Sequence, residues 1–544
     1  MERAAPKRRD LPLLLLAWLG LAAVLTFFAL RNLETPGLNY DEAVYGHLAK
    51  DFLLGHAGGQ RMPGSLVVSL FGHPFPLFVQ DYLGALKCWM LLPGFALFGP
   101  SMAVMRLTML AWALSGLLFF MLGTRRLLGL GAAIAGGFLL GLDPAFYFIS
   151  VCEWGSVVPS FVCRLAAFFF ALRWWQDQKD RQERRARDLF LAGLACGLGF
   201  FNKIDFLLIL GGCGAALSAA CGPKLWRELR RRPAHLAWGA AGLLPGVGLM
   251  AMSFLHIAGT MLRGGSSGGS DQALEKASTL QAMLDGSYFY RLMEHGGDFG
   301  RMYSTPAPFR TPFGLVFALA FALLAAVAVR GWRRHAPERV AAFLLLSTLL
   351  VLLATWLLPG AVRIHHWTLV YPLPHLVILT AAAWLGRRAW RGSRILAGVA
   401  VAAVLCGNLL AIEKTERLIA DTGGRGLWSN ALNAFAATVR TRSDLTLVSY
   451  DWGFYEQLAF LTDGPALVEP VWSMLGGDRS GVPAGPKVIF LVHPPESQVF
   501  PFGSELLDRA ARMPQQAAVR KYTDRQGRPA FYAVRFFGES GRIE

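Results

Sequence analysis

From Leu11 to about residue 411 the chain repeats one pattern: an apolar run of roughly twenty residues closed by arginines or lysines. A run of that length crosses about 30 Å of hydrocarbon as a helix, so a bundle of membrane spans is the architecture most open to it. The charge content agrees, since 16% of the 544 residues are Asp, Glu, Lys or Arg, where soluble domains carry about 25%. A net charge of +17 would suit a nucleic-acid partner. The basic residues, however, gather in alternate short loops between apolar runs, which is the positive-inside pattern of membrane topology. The excess charge therefore speaks for membrane lipid as a partner and against nucleic acid. Seven cysteines lie in or beside apolar segments with no CxxC spacing and read as small core residues.

Arg3, Lys7, Arg8 and Arg9 predict a cytoplasmic N-terminus, and the absence of a small-residue cleavage site before Arg31 predicts an uncleaved first span at about 11–30. Residues 31–100 then lie outside. Within them the stretch 77–98 is Pro-interrupted, carries Asp81 and Lys87, and reads as an interfacial helix rather than a span. Further spans follow at about 102–124, 130–148 and 156–174, then a short one ending near 202–203, one ending in the cluster 224–232, and one at 235–257. A long outer loop, 258–311, should hold a helix around 271–294. The last spans end near 334, 359, 388 and 411, for about eleven in all, with every inner loop basic.

Residues 412–544 are more polar. Strands are expected at 446–450, 488–492 and 531–537, helices at 454–461 and 505–513, and a hairpin turn at 524–529. The expected fold is a polytopic α-helical membrane core over 1–411 with an extracytoplasmic α/β domain over 412–544. The usage of Arg, Ala, Leu and Gly suggests a bacterial inner membrane, which makes that domain periplasmic.

This topology brings Asp41, Glu42, Asp143, Glu153, Lys203, Asp205, His365 and His366 to one membrane face. Ionisable groups retained near hydrocarbon are functional candidates, although charges at helix ends often only mark the water boundary. Asp41–Glu42 stands out because it follows the first span directly and opens an amphipathic helix. A carboxylate there can take a proton from a hydroxyl nucleophile, hold a divalent metal ion, or simply cap the helix. Arg164, about halfway along its span, needs either a partner from another span or a role at a lipid phosphate. Asp451 between a strand and a helix reads as a cap, and His295, Asp298 and Arg301 as a solvated loop face.

An acidic pair just after the first span resembles the signature of GT-C membrane glycosyltransferases, in the branch of the protein O-mannosyltransferases and lipid A aminoarabinose transferases. Other pieces are similar in the same order: Leu83 to Lys87 and Phe98 to Arg106 and Leu107, Asp143-Pro144-Ala145-Phe146 through Glu153, Gly197 to Lys203, and His366 to Pro374. Where the family often shows an acidic-basic-Pro-Pro string, this chain has Gly72-His73-Pro74-Phe75-Pro76, and Glu153 stands slightly before the usual aspartate. The resemblance implies a GT-C fold and transfer of a sugar from a polyprenyl-phosphate carrier to a lipid, protein or glycan acceptor on the outer face. It implies Asp41 as base, with Glu42 beside it. Lys203 would meet the carrier phosphate, with Arg106 and Arg263 behind it. Glu153, Asp143 and His366 would bind substrate, and a divalent metal ion remains open as a cofactor. The alternative from another class is a transporter or lipid-linked-sugar flippase, against which stand the one-sided acidic residues and the lack of internal repeats. A non-catalytic relative that binds a partner through 412–544 is a third reading, against which Asp41 and Lys203 speak.

Overall fold

The computed structural model describes residues 10–56, 64–152, 155–176, 182–254, 270–331, 336–360, 362–387 and 391–537. The first helix, α1 (Asp10–Arg31), reveals its solvent: Leu14, Leu21, Leu25 and Ala29 form a buried stripe, while Leu13, Leu16, Phe27 and Leu30 face outward and are each more than half exposed. A helix that is apolar on both faces belongs in hydrocarbon. After it come α2 (Tyr40–Leu54) and a three-stranded antiparallel sheet of β1 (Leu66–Leu70), β2 (His73–Gln80) and β3 (Leu83–Gly84). The next helix, α3 (Leu86–Phe98), has 13 residues, too few for a crossing, which needs about 20. The stretch 77–98 is thus helical only in its second half. Its first residues continue a strand that begins at His73 and contains Pro74 and Pro76, which lack the N–H a helix needs.

The membrane bundle starts with α4 (Met102–Leu128). It is followed by α5 (Leu130–Gly141) and α6 (Pro144–Val151), which together pass for one span bent by 61°. The bend has a local cause: Pro144 opens α6 without an N–H, and the Asp143 carboxylate accepts from the N–H groups of Ala145 and Phe146 at 2.9 and 3.2 Å. Then come α7 (Val157–Gln176), α8 (Gln182–Asn202), α9 (Phe206–Arg231) and α10 (Pro233–Ala251). Outside the bundle lie α11 (Ser270–Leu284), α12 (Tyr288–His295) and α13 (Phe299–Ser304), so the helix expected around 271–294 is broken at Asp285–Ser287. The last spans are α14 (Phe313–Gly331), α15 (Ala336–Trp356), the short α16 (Ile364–Trp367) leading into α17 (Leu373–Gly386), and α18 (Arg391–Thr422).

Among the described residues nine helices are long and apolar enough to cross, or ten with the bent pair. The difference from eleven is α8. Arg184, Arg185, Arg187 and Asp188 occupy its first two turns and shorten the apolar part. α8 is nevertheless pressed against α10, where a Cβ on Gly246 would fall 1.9 Å from the Gly197 carbonyl oxygen. Small residues allow such close helix contacts in membranes. Hydrogen bonds tie the helix ends into two levels. At the basic end Gln176 donates to the Arg126 carbonyl and Trp174 to His235. At the other end Asn202 donates to the Ser156 carbonyl and Ser253 to that of Asp81.

The 32-residue α18 runs without a break through residue 411, so 412–422 continues a membrane helix. Beyond it lie α19 (Ala431–Val439) and a five-stranded sheet of order β5-β4-β6-β8-β7. Its parallel strands are β4 (Thr446–Ser449), β5 (Ala466–Val468) and β6 (Val488–Val492), with α20 (Phe454–Leu461) and α21 (Val471–Leu475) as connections. After α22 (Phe502–Arg512), the antiparallel pair β7 (Ala517–Thr523) and β8 (Pro529–Phe536) closes the edge. One face buries Leu447, Leu491 and Phe531 against α19 and α20, and the other buries Val448, Phe490 and Val534 near α22. Apolar residues on both faces of the parallel strands are what two-sided helix cover demands.

Candidate active site

At the Ser156–Asn202 end of the bundle a cavity of about 370 Å³ gathers residues from seven chain segments. The first is the start of α2. Asn39 is extended, and its side-chain oxygen accepts the Asp41 N–H at 3.0 Å, so the helix is capped by Asn39 and Asp41 is not needed for that task. The Asp41 side chain lines the cavity. Successive helical residues point about 100° apart, and Glu42 turns into the protein. There Arg106 binds it in a two-pronged pair, Nε to Oε1 at 2.8 Å and the second prong at 2.9 Å, with both residues 2% exposed. Glu42 and Arg106, both expected at the site, lie outside the cavity wall.

Lys203 lines the cavity from the turn after α8. That turn is pinned to the β2–β3 corner by the Ile204 N–H donating to the Tyr82 carbonyl and by a bridge between Leu83 and Lys203. The ammonium pairs with Asp205 at 2.9 Å. Arg164 reaches the same space from two turns inside α7. One of its nitrogens donates to the Leu369 carbonyl at 3.0 Å, and its guanidinium lies 4.5 Å from the Phe161 ring centre. Its Nε and other terminal nitrogen have no hydrogen-bond partner among the described residues. A buried guanidinium half-satisfied beside a cavity is suited to an anion. His365 and His366, their rings 4.0 Å apart, complete this wall.

Asp143 is placed elsewhere. It is 2% exposed and, besides capping α6, accepts from the Tyr371 hydroxyl at 3.0 Å and lies 3.4 Å from His375 Nε2, so its two oxygens hold spans together. Its Asp-Pro sequence was a readable helix-start signal. Glu153 and Arg263 lie outside the described residues. His73 Nδ1 sits 2.6 Å from the Phe52 carbonyl. Among the described residues no three His, Cys, Asp or Glu side chains converge where a metal ion would sit.

Sequence reasoning missed the contribution of the C-terminal region, which supplies Trp452 and Trp472 to the cavity and clamps the Asp41 helix. His47 Nδ1 meets Glu456 Oε2 at 2.7 Å. Burial opposes the charge on this imidazole, but the Glu456 carboxylate outweighs it and raises His47 above its ordinary value. Lys50 donates to the carbonyls of Ala459, Phe460 and Thr462 at the end of α20 and pairs with Asp463 at 2.6 Å. Gln457 donates to the Leu38 carbonyl. Burial, then the charges of Glu456, Glu469 and Asp41, hold the Tyr40 phenol above its usual range, so these carboxylates surround the start of α2. The helix Trp472 belongs to has five residues, too few for periodicity to expose it.

No protein-family model matches the sequence, and no curated protein matches it significantly. Among solved structures, ArnT from Cupriavidus metallidurans in the apo state is similar with a TM-score of 0.58, at 14% identity over 97% of this chain and 98% of that one. The same protein bound to undecaprenyl phosphate gives 0.57, at 12% identity over 97% and 99%. Likeness at such identity is likeness of fold: this chain is a polytopic membrane protein of the GT-C fold, with a C-terminal α/β region as its last part.

Proposed function

We propose that the protein is a membrane glycosyltransferase that moves a sugar from a polyprenyl-phosphate carrier to an acceptor at the outer face of a bacterial inner membrane. The N-terminus is then cytoplasmic, and the C-terminal α/β domain periplasmic. The observation that carries this reading is a cavity at the end of the membrane helices lined by Asp41, by the Lys203–Asp205 ion pair and by the half-satisfied guanidinium of Arg164. The ArnT structure with undecaprenyl phosphate shows that this fold takes such a carrier in that protein.

In the reaction, an acceptor oxygen attacks the anomeric carbon, and the bond from that carbon to the phosphate oxygen breaks. The acceptor proton passes to Asp41, and the electron pair leaves with the carrier phosphate. Lys203 and Arg164 neutralise the charge that develops there, a contribution worth about 10²–10³ in rate for one such donor. His366 lines the same wall and can orient the phosphate. Glu42 and Arg106 set the angle of α2 instead of touching substrate.

Comparing envelope glycans from cells with the wild-type gene, with Asp41→Asn and with no gene tests this. The variant should lose the same mass increment as the deletion while inserting normally, at a rate lowered by at least about 10² for loss of a general base. Wild-type levels of the modified glycan in Asp41→Asn would remove Asp41 as the base. Unchanged binding of undecaprenyl phosphate to Lys203→Ala would remove the lysine from the carrier site.

A further inference from the structure

The C-terminal sheet presents to the cavity the edge at which α/β sheets hold ligands. Such sheets bind in the crevice beyond the carboxyl ends of parallel strands, where consecutive strands depart to opposite sides. Here β4 lies between β5 and β6, all parallel, so the chain leaves β4 to one side and returns to the other. Trp452 follows β4 and Trp472 follows β5, and both line the cavity that holds Asp41.

This rim is built, not incidental. Asp451 is fully buried, and one of its oxygens accepts the N–H groups of Trp452, Val499 and Phe500 at 2.8, 3.1 and 3.0 Å. The carboxylate expected to cap α20 instead ties two loops together, and Gly453 begins that helix without a side-chain cap. His493, stacked on Phe454, lies 3.1 Å from the Trp452 carbonyl. Trp472 abuts Phe500 with ring centres 5.3 Å apart, and its indole N–H donates to Glu469 at 2.9 Å. Trp452 lies 4.3 Å from the Tyr40 ring, which fixes it next to Asp41. Trp472 keeps 39% of its surface open, a costly disposition for an indole whose N–H is already satisfied.

We propose that Trp452 and Trp472 form the acceptor subsite and that the moiety they take is a sugar ring, stacked by its C–H face on the Trp472 indole. This rests on the cavity being the transferase site. Its chemistry separates the candidates. Aromatic faces interleaved with Asp41 and Gln80 match a ring that is apolar on its face and hydroxylated at its edge. An acyl chain needs a continuous apolar wall, and an anionic headgroup is drawn to the Lys203–Arg164 side. A ring held on this rim brings its edge hydroxyl toward Asp41.

The test uses the full chain in lipid nanodiscs with two probes. Chitotetraose is followed by saturation-transfer NMR, and undecaprenyl phosphate is followed by equilibrium binding. Trp472→Ala should weaken the oligosaccharide roughly tenfold, the upper range for one aromatic contact, while carrier binding stays unchanged. Trp472→Phe should keep most of the affinity, which a merely structural role would not predict, and Lys203→Ala should show the reverse pattern. Absence of transfer to chitotetraose in the wild type would overturn the proposal, as would equal signals in wild type and Trp472→Ala. So would an aromatic hexapeptide that competes for the rim while the oligosaccharide does not. Loss of carrier binding in the wild type, with the oligosaccharide still bound, would sink the transferase reading and leave the sugar site standing.

Discussion

Replacing Glu42 by glutamine should destabilise the protein by about 3–5 kcal/mol, the cost of removing one partner from a buried ion pair. Arg106 is 2% exposed, and its other contacts are the carbonyls of Leu33 at 3.0 Å and Gly37 at 3.5 Å. Glutamine can keep one hydrogen bond but no charge, so the guanidinium is left charged and half-bound in a medium that solvates it poorly. Arg106→Met should cost a similar amount for the mirror-image reason. The double replacement Glu42→Leu with Arg106→Met removes both charges and should recover most of the loss, with a coupling of about 2–3 kcal/mol. Asp41→Asn, one residue away and facing the cavity, keeps the size of the side chain and breaks no buried ion pair with Arg106, so it should cost far less stability than Glu42→Gln.

Unfolding in mixed micelles of dodecyl maltoside and sodium dodecyl sulfate, followed by circular dichroism, reads these differences on one scale. The decisive comparison is between the two adjacent carboxylates. Structure loss in Glu42→Gln and activity loss in Asp41→Asn would separate a bracing residue from a reacting one. A Glu42→Gln protein as stable as wild type yet as inactive as Asp41→Asn would refute the division, and would return Glu42 to the chemistry.

Glu469 gives a pH dependence of defined sign. Burial, relieved in part by the Trp472 hydrogen bond, raises its carboxyl from an ordinary 4.5 to about 7. The folded state therefore holds this proton more tightly than the unfolded chain. The stability it contributes is full below about 4.5 and is lost as pH rises through 7, by about 3 kcal/mol at most. Glu469→Gln should flatten that part of the pH–stability profile measured by melting, and an unaltered slope would show that another group sets it. Lys50→Met should free three carbonyls at the end of α20 and loosen the grip on α2, for about 2–3 kcal/mol. Faster hydrogen exchange across residues 454–463 is the expected signature, and unchanged protection there would mean the clamp lies elsewhere.

Much of the bundle could be read directly, because a lipid-facing helix writes its environment into an unbroken apolar run. In the C-terminal region strands β4, β6 and β8 were visible as short apolar runs between turns. The strand β7, with Arg520 and Lys521 on an exposed edge, had no such run. Asp41 and Lys203 were legible because each follows the end of a membrane helix, where local sequence alone fixes depth.

What was hidden depends on pairing at long range. Nothing in the sequence says that Arg106 lies opposite Glu42, 64 positions earlier, or that Tyr371 and His375 meet Asp143. The face of α2 is the telling case. Asp41 and Glu42 differ in sequence by one position, yet a single step of about 100° separates a cavity from a buried guanidinium. Depth in the membrane could be inferred residue by residue, whereas direction required knowing which helix stands on each side. The same holds for Trp472, whose place at the cavity follows from the strand order β5-β4-β6 and from no feature of the residues around it. On the proposed reading, a C-terminal sheet seated with its strand ends facing the cavity lets the acceptor be changed through a few rim residues, while the Lys203–Arg164 side proposed for the carrier stays as it is. Exchanging Trp472 should therefore alter acceptor preference without altering carrier binding.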